Sequence, residues 1–151
     1  MGKLTDYATV VLASLAQEPS RHRAAAELAA ITRLNLPTVS KVLKGLQRAG
    51  MVISSRGAQG GYWLARPPEQ ITATQILDVF EGPIAITECS GASSRCGIER
   101  QCRVGGAWQR VNAAIRRALD DVTLHQLAGL DSAELRLVNL ASESHSSASQ
   151  T

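Results

Sequence analysis

The sequence predicts a mainly α protein with a small β wing: a winged helix-turn-helix domain joined to a long dimerisation helix. Three observations predict it. Apolar residues recur at helical spacing in three N-terminal segments separated by turn signals. Two brief β-type runs then flank a Gly-rich, arginine-bearing loop, and a long amphipathic stretch follows a loop that holds every cysteine of the chain.

Leu4, Tyr7, Ala8, Val11, Leu12 and Leu15 place a first helix over residues 3–17, and Glu18-Pro19-Ser20 breaks it. A short Ala-rich second helix is expected from Ala24 to Ile31, with Leu28 and Ile31 inward. Pro37 suits the first position of a third helix, which carries Val39, Val42, Leu43 and Leu46 on its core face and ends near Ala49-Gly50. Met51-Val52-Ile53 and Tyr62-Trp63-Leu64 read as two strands around a loop from Ser54 to Gly61. That loop is no phosphate cradle of the nucleotide-binding kind, because neither a helix nor Gly-Lys-Ser/Thr follows it. Thr72 reads as the N-cap of a helix through Glu81, stopped by Gly82-Pro83.

Beyond the cysteines, residues 107 to about 127 read as one long helix. Trp108, Val111, Ala114, Ile115, Leu119, Val122 and Leu127 form its apolar stripe. Such a face needs a cover, and a crossing helix of a second copy supplies one. The expected organisation is therefore 1–82 winged helix-turn-helix, 83–106 cysteine loop, 107–129 dimerisation helix and 130–151 disordered polar tail.

At 151 residues the chain holds one modest core or a small domain with an oligomerisation element. No stretch approaches the roughly 20 apolar residues of a membrane span, so no membrane partner is expected. No secretory leader is legible at the N-terminus, and three cysteines leave one over from any disulfide scheme, which points to a reducing cytoplasm. Charge is unevenly placed: residues 1–68 carry nine Lys/Arg against three Asp/Glu, the remainder seven against ten. A basic N-terminal half is the footprint of a polyanion binder, and the scarcity of aromatic residues argues against a single-strand stacking platform.

In a helix-turn-helix the second helix of the motif enters the major groove of double-stranded DNA. That assigns Thr38, Ser40, Lys41 and Lys44 to the outward face, with Lys41 suited to guanine acceptors and Ser40 or Thr38 to several base edges. Arg56, on a loop softened by Gly60 and Gly61, suits a phosphate or a narrow minor groove, and these three make the wing part of the candidate DNA site. Lys3, Arg33 and Arg48 are weaker phosphate candidates, read first as solvated charges.

Cys89, Cys96 and Cys102 stand as C-x6-C-x5-C among Gly, Ser and Arg rather than on an apolar periodic face, so they read as reactive rather than as packing thiols. Three thiolates within fourteen residues suit one soft centre, either an iron–sulfur cluster or zinc. Structural zinc favours shorter knuckles and a clear fourth ligand, which favours the cluster. Redox-active thiols without metal remain an alternative.

The order Leu4-Thr5-Asp6-Tyr7-Ala8, Pro37-Thr38-Val39-Ser40-Lys41-Val42-Leu43, Arg56-Gly57-Ala58-Gln59-Gly60-Gly61-Tyr62, Glu81-Gly82-Pro83, three cysteines and a long helix resembles the IscR/NsrR/RirA family of winged-helix regulators over roughly residues 1–127. Ile86-Thr87-Glu88-Cys89 and Cys102-Arg103-Val104-Gly105, with Trp108-Gln109-Arg110, are similar to the branch that regulates SUF iron–sulfur assembly genes. The resemblance implies a homodimer on a palindromic promoter site and a 2Fe-2S or 4Fe-4S cluster held by Cys89, Cys96 and Cys102. It also implies a base-reading role for Ser40 and Lys41 and a wing role for Arg56. IscR-like members carry a histidine three residues after the last cysteine; Gly105 stands there in this chain. NsrR-like members use an aspartate of the first helix, and Asp6 holds the matching place, with Glu88, Glu99, His22, His125 and an exogenous thiol or water as competitors.

The expected function is thus cluster-sensing transcriptional repression, with a nitric-oxide- or iron-responsive repressor as the alternative. An electron-transfer protein would not need the DNA module. A thiol enzyme would need a base near a cysteine, and His22, His125 and His145 are all distant in sequence.

Overall fold

The computed structural model describes residues 2–83 and 104–130. Helix α1 spans Lys3–Gln17, α2 Ala25–Thr32 and α3 Leu36–Arg48. Strands β1 (Val52–Ser55) and β2 (Gly61–Leu64) follow, then a 3-10 turn at Pro68–Gln70, α4 (Ala73–Glu81), α5 (Gly105–Asp120) and the short α6 (Leu124–Leu127). The cysteine segment and the C-terminal tail lie outside the described residues.

Helix α1 runs through the middle of the domain because its apolar face is matched on several sides. Ala8, Val11, Leu12 and Leu15 are buried against Leu28 of α2, Val39, Val42, Leu43 and Leu46 of α3, Ile76 of α4 and Leu124 of α6. At about 1.5–3 kcal/mol for each large side chain fully removed from water, this shared cluster is the main favourable term holding the helices together.

Local chemistry sets the element ends. The Asn35 side chain accepts from the Thr38 N–H at 2.8 Å, so α3 begins one residue before Pro37, which occupies the second rather than the first helical position. The helix stops where Gly50 turns left-handed (φ 73°): the Gly50 N–H donates to Gln47 O and the Met51 N–H to Leu46 O, each at 3.0 Å. This pair of bonds satisfies the last carbonyls of the helix. At α4 the expected Thr72 cap is present as a reciprocal box, with Gln75 N donating to Thr72 Oγ1 at 3.3 Å and Thr72 N to Gln75 Oε1 at 3.2 Å.

Two further expectations change. Ile31 is 48 % exposed rather than inward. Arg33, at φ 59°, turns the chain sharply after α2, and Leu34 just beyond the turn packs against the core instead. The single helix expected from 107 to about 127 is two helices. It breaks after Asp120 because Val122 and the N-cap Thr123 pair as extended chain with the start of α4: Ala73 N donates to Val122 O at 2.8 Å and Leu124 N to Ile71 O at 2.7 Å. Thr123 and Gln126 form a second capping box, and Leu124 becomes fully buried. The β-branched pair Val122-Thr123, whose second member is a strong N-cap residue, favours this break over an uninterrupted helix.

The wing is an antiparallel pair with Val52 opposite Leu64 and Ser55 opposite Gly61. Arg23, in the α1–α2 turn, adds a third short edge, with Arg23 N donating to Tyr62 O at 3.0 Å and Tyr62 N to Arg23 O at 2.8 Å. Helix α5 meets α4 through polar groups, since Asn112 is buried and Arg116 lies 3.4 Å from Asp78. Its apolar stripe therefore stays outside, leaving Trp108, Val111 and Ile115 exposed.

Candidate nucleic-acid interface

The positive charges sort into two groups by whether a carboxylate answers them. Arg23 is buried and bridges Glu27 (2.7 Å) and Glu18 (3.2 Å), while Arg21 bridges the same two glutamates at 2.9 and 3.5 Å. Those arginines are neutralised within the fold. Among the described residues Lys41, Lys44 and Arg48 on α3 and Arg56 on the wing have no ion-pair partner, and all four are exposed. A surface of uncompensated cations spanning one helix and the adjoining loop is the arrangement that exchanges counterions for phosphates.

On α3 the burial of Val39, Val42, Leu43 and Leu46 fixes the opposite side to solvent. Lys41 and Lys44 lie in that outward sector with Pro37 and Arg48. Ser40 and Thr38 are half-buried at its flanks, and the Thr38 N–H is already engaged by Asn35. Ser40, Lys41, Lys44 and Arg48 also line a cleft of about 820 Å³ whose floor is Leu4, Val79 and Phe80. Arg48, read from sequence as a solvated charge, is thereby brought into the same row as the two lysines. Its position eleven residues after Pro37, three turns along one helix face, was the signal that could have found it. Gly45 permits this geometry, since a Cβ there would lie 2.8 Å from the Phe80 ring.

The wing is fixed to the helix by Gln47, whose Nε2 donates to Ser54 Oγ at 3.0 Å. Gly60 and Gly61 shape its tip. A Cβ on Gly60 would stand 2.4 Å from the Ser55 carbonyl oxygen, and one on Gly61, which sits at φ 137°, would stand 2.9 Å from the Arg23 backbone. Their structural part is to let the loop fold tightly beneath Arg56. Lys3 and Arg33 are exposed at the start of α1 and in the α2–α3 turn.

Of the candidate metal ligands, Cys89, Cys96 and Cys102 lie outside the described residues. Asp6 is exposed in the first turn of α1 and does not cap it. The capping role belongs to Glu81, whose carboxylate accepts from the Gly2 N–H and, at 2.7 Å, from the Thr5 hydroxyl. Asp6 instead stands at the rim of an apolar groove of about 540 Å³ lined by Val10, Ile76, Leu77, Leu119, Val122 and Leu127. Among the described residues no three His, Cys, Asp or Glu side chains gather as a metal site. Among the described residues the Asp6 carboxylate has no hydrogen-bond or ion-pair partner, which fits the chemistry of a weak, replaceable ligand to iron. Gly105, the first residue of α5, offers no donor side chain. No described helix is long and apolar enough to cross a membrane.

Comparisons with known proteins agree with this architecture. The solved structure of the global cysteine regulator CymR of B. subtilis superposes with a TM-score of 0.67 at 27 % identity, over 86 % of this chain and 96 % of that one. T. potens IscR gives 0.64 at 27 % identity, over 88 % and 89 %. The transcriptional regulator NsrR of Shouchella clausii is 28 % identical over 126 residues, 82 % of this chain and 84 % of its own. These relatives are transcriptional regulators rather than enzymes. The family model Rrf2, described as an iron-dependent transcriptional regulator, matches residues 1–129, and the chain belongs to the Rrf2 family of winged-helix, DNA-binding transcriptional regulators.

Proposed function

We propose that this regulator is a homodimeric repressor that senses an iron–sulfur cluster and controls iron–sulfur assembly genes of the SUF type from a palindromic promoter site. The observation that carries the reading is the grouping of Cys89, Cys96 and Cys102 in the segment joining α4 to α5. That segment links the helix that packs on the DNA-reading unit to the helix whose apolar stripe is left open. Support for the cluster comes from the iron-dependent description of the family and from the likeness to IscR and NsrR.

The three thiolates would hold the cluster, with Asp6 of the partner subunit as the fourth ligand. A bound cluster supplies an iron- and oxidant-sensitive centre. The protein's own contribution is geometric. Trp108, Val111 and Ile115 would bury against a second copy, fixing the distance between two α3 helices, and Lys41 with Ser40 would read base edges while Lys44, Arg48 and Arg56 neutralise phosphates. Regulation requires the two cluster states to differ in DNA affinity, because an effector bound equally by both conformations shifts nothing.

A thiol-based reading has its own support in the likeness to CymR, for which an oxidised form from Staphylococcus aureus has also been solved. One experiment separates the two. Protein purified anaerobically is analysed for iron, sulfide and absorbance, and its promoter affinity is measured before and after cluster removal. Stoichiometric iron and sulfide with a changed affinity is the expected result. Metal-free protein whose affinity responds only to peroxide or disulfide would replace the cluster with thiol chemistry.

A further inference from the structure

His22, a competing metal-ligand candidate by sequence, is built into the wing from the other side. Its imidazole stacks on the Trp63 indole with ring centroids 3.9 Å apart and planes 15° from parallel. Its Nδ1 lies 3.1 Å from the Gln59 carbonyl oxygen; a carbonyl only accepts, so Nδ1 carries the proton and donates. The neighbouring Arg23 pairs with Tyr62 through both backbone bonds, and the buried Arg23 guanidinium is pinned by Glu18 and Glu27. Strand pairing in the wing ends at Ser55 and Gly61. Beyond it, among the described residues, the His22–Gln59 bond is the side-chain tie from the rest of the fold to the loop that carries Arg56.

We propose that His22 is a positioning residue for the DNA-binding wing: stacked on Trp63 and bonded to Gln59, it holds loop 56–60 at the angle at which Arg56 meets a phosphate. A two-stranded hairpin is marginally stable by itself, so an exposed tip without this tie samples many orientations and pays for ordering when DNA arrives. The inference rests on the reading of Arg56 as a phosphate contact.

The test is a double-mutant cycle on the full-length chain, isolated anaerobically, with mixed-sequence duplex DNA as the probe, since a phosphate contact does not require the cognate site. Arg56→Ala should weaken binding and lower the salt slope. His22→Ala should weaken binding about 2- to 10-fold, the equilibrium worth of one aromatic stack, yet have little further effect in the Arg56→Ala background. His22→Phe, which keeps the stack and loses the bond, should recover part of the affinity. In a Trp108→Phe background the emission of Trp63 should change with His22→Ala and not with Arg56→Ala, while circular dichroism reports an intact fold. If Arg56→Ala leaves binding unchanged, the wing reading itself fails. If Arg56→Ala weakens binding and His22→Ala does not, or if the two losses simply add, the wing reading stands and the role of His22 is overturned.

Discussion

The hydroxyl of Thr5 donates to the carboxylate of Glu81 at 2.7 Å, joining the first turn of α1 to the last residue of α4 across 76 positions of sequence. The same carboxylate accepts from the Gly2 N–H. Glu81 thus stabilises the positive end of α1 and marks the point where the chain leaves for the cysteine segment.

This contact carries a pH dependence. The Gly2 N–H, and secondarily the Thr5 hydroxyl, hold Glu81 below the ordinary carboxylate value. A group whose folded pKa is depressed contributes stability that is present above its unfolded value and is lost as pH falls through the folded one. Thermal unfolding from neutral pH to below about 4, the ordinary Glu range, should therefore show a stability loss in the wild type. Glu81→Gln should flatten that part of the profile and lower the midpoint at neutral pH. Identical profiles for the two proteins would show the contact contributes nothing.

Recognition helix and wing should divide specificity from affinity. Lys41→Ala is expected to cost about 1–3 kcal/mol on the promoter and to relax choice at one base position. Arg48→Ala and Arg56→Ala, acting on phosphates, should weaken all sequences similarly and reduce the salt slope by about one each. Titrations on cognate and scrambled duplexes at several salt concentrations check both patterns.

The open stripe of α5 should govern assembly. Val111→Glu places a charge between Trp108 and Ile115, where a partner helix would have to desolvate it. Sedimentation or light scattering is expected to show a shift from dimer to monomer, with the helical content of the monomer retained and promoter affinity falling sharply. A dimer that survives the substitution would place the interface elsewhere.

The cysteines should act as a set and Asp6 as a modifier. Ser at Cys89, Cys96 or Cys102 should yield dimeric protein that is colourless or bleaches rapidly, as measured by absorbance and iron content. Asp6→Asn should leave the apo dimer folded, because Glu81 and not Asp6 caps α1, while shifting the cluster spectrum and shortening its lifetime in air. Unchanged spectra and lifetimes would remove Asp6 from the coordination sphere.

Periodicity and punctuation were enough to determine the helix-turn-helix, the wing and the capped fourth helix. Val39, Val42, Leu43 and Leu46 can share only one face of a helix, Asn35 and Gly50 are chemically suited to its ends, and Thr72 with Gln75 spells a cap. The three cysteines stand out in the sequence as a candidate centre because they cluster among Gly, Ser and Arg, and they lie outside the described residues. Tertiary structure alone decided the rest, wherever a long-range partner outweighed a local preference. Pairing of Val122–Leu124 with Ile71–Ala73 broke the long helix, and the turn at Arg33 left Ile31 in solvent. Glu18 and Glu27 withdrew Arg21 and Arg23 from the cationic surface, leaving Lys41, Lys44, Arg48 and Arg56 to form it. No period in the sequence encodes which carboxylate reaches which guanidinium, or that His22 meets Trp63, because those distances exist only once α1, α2 and the wing have packed together.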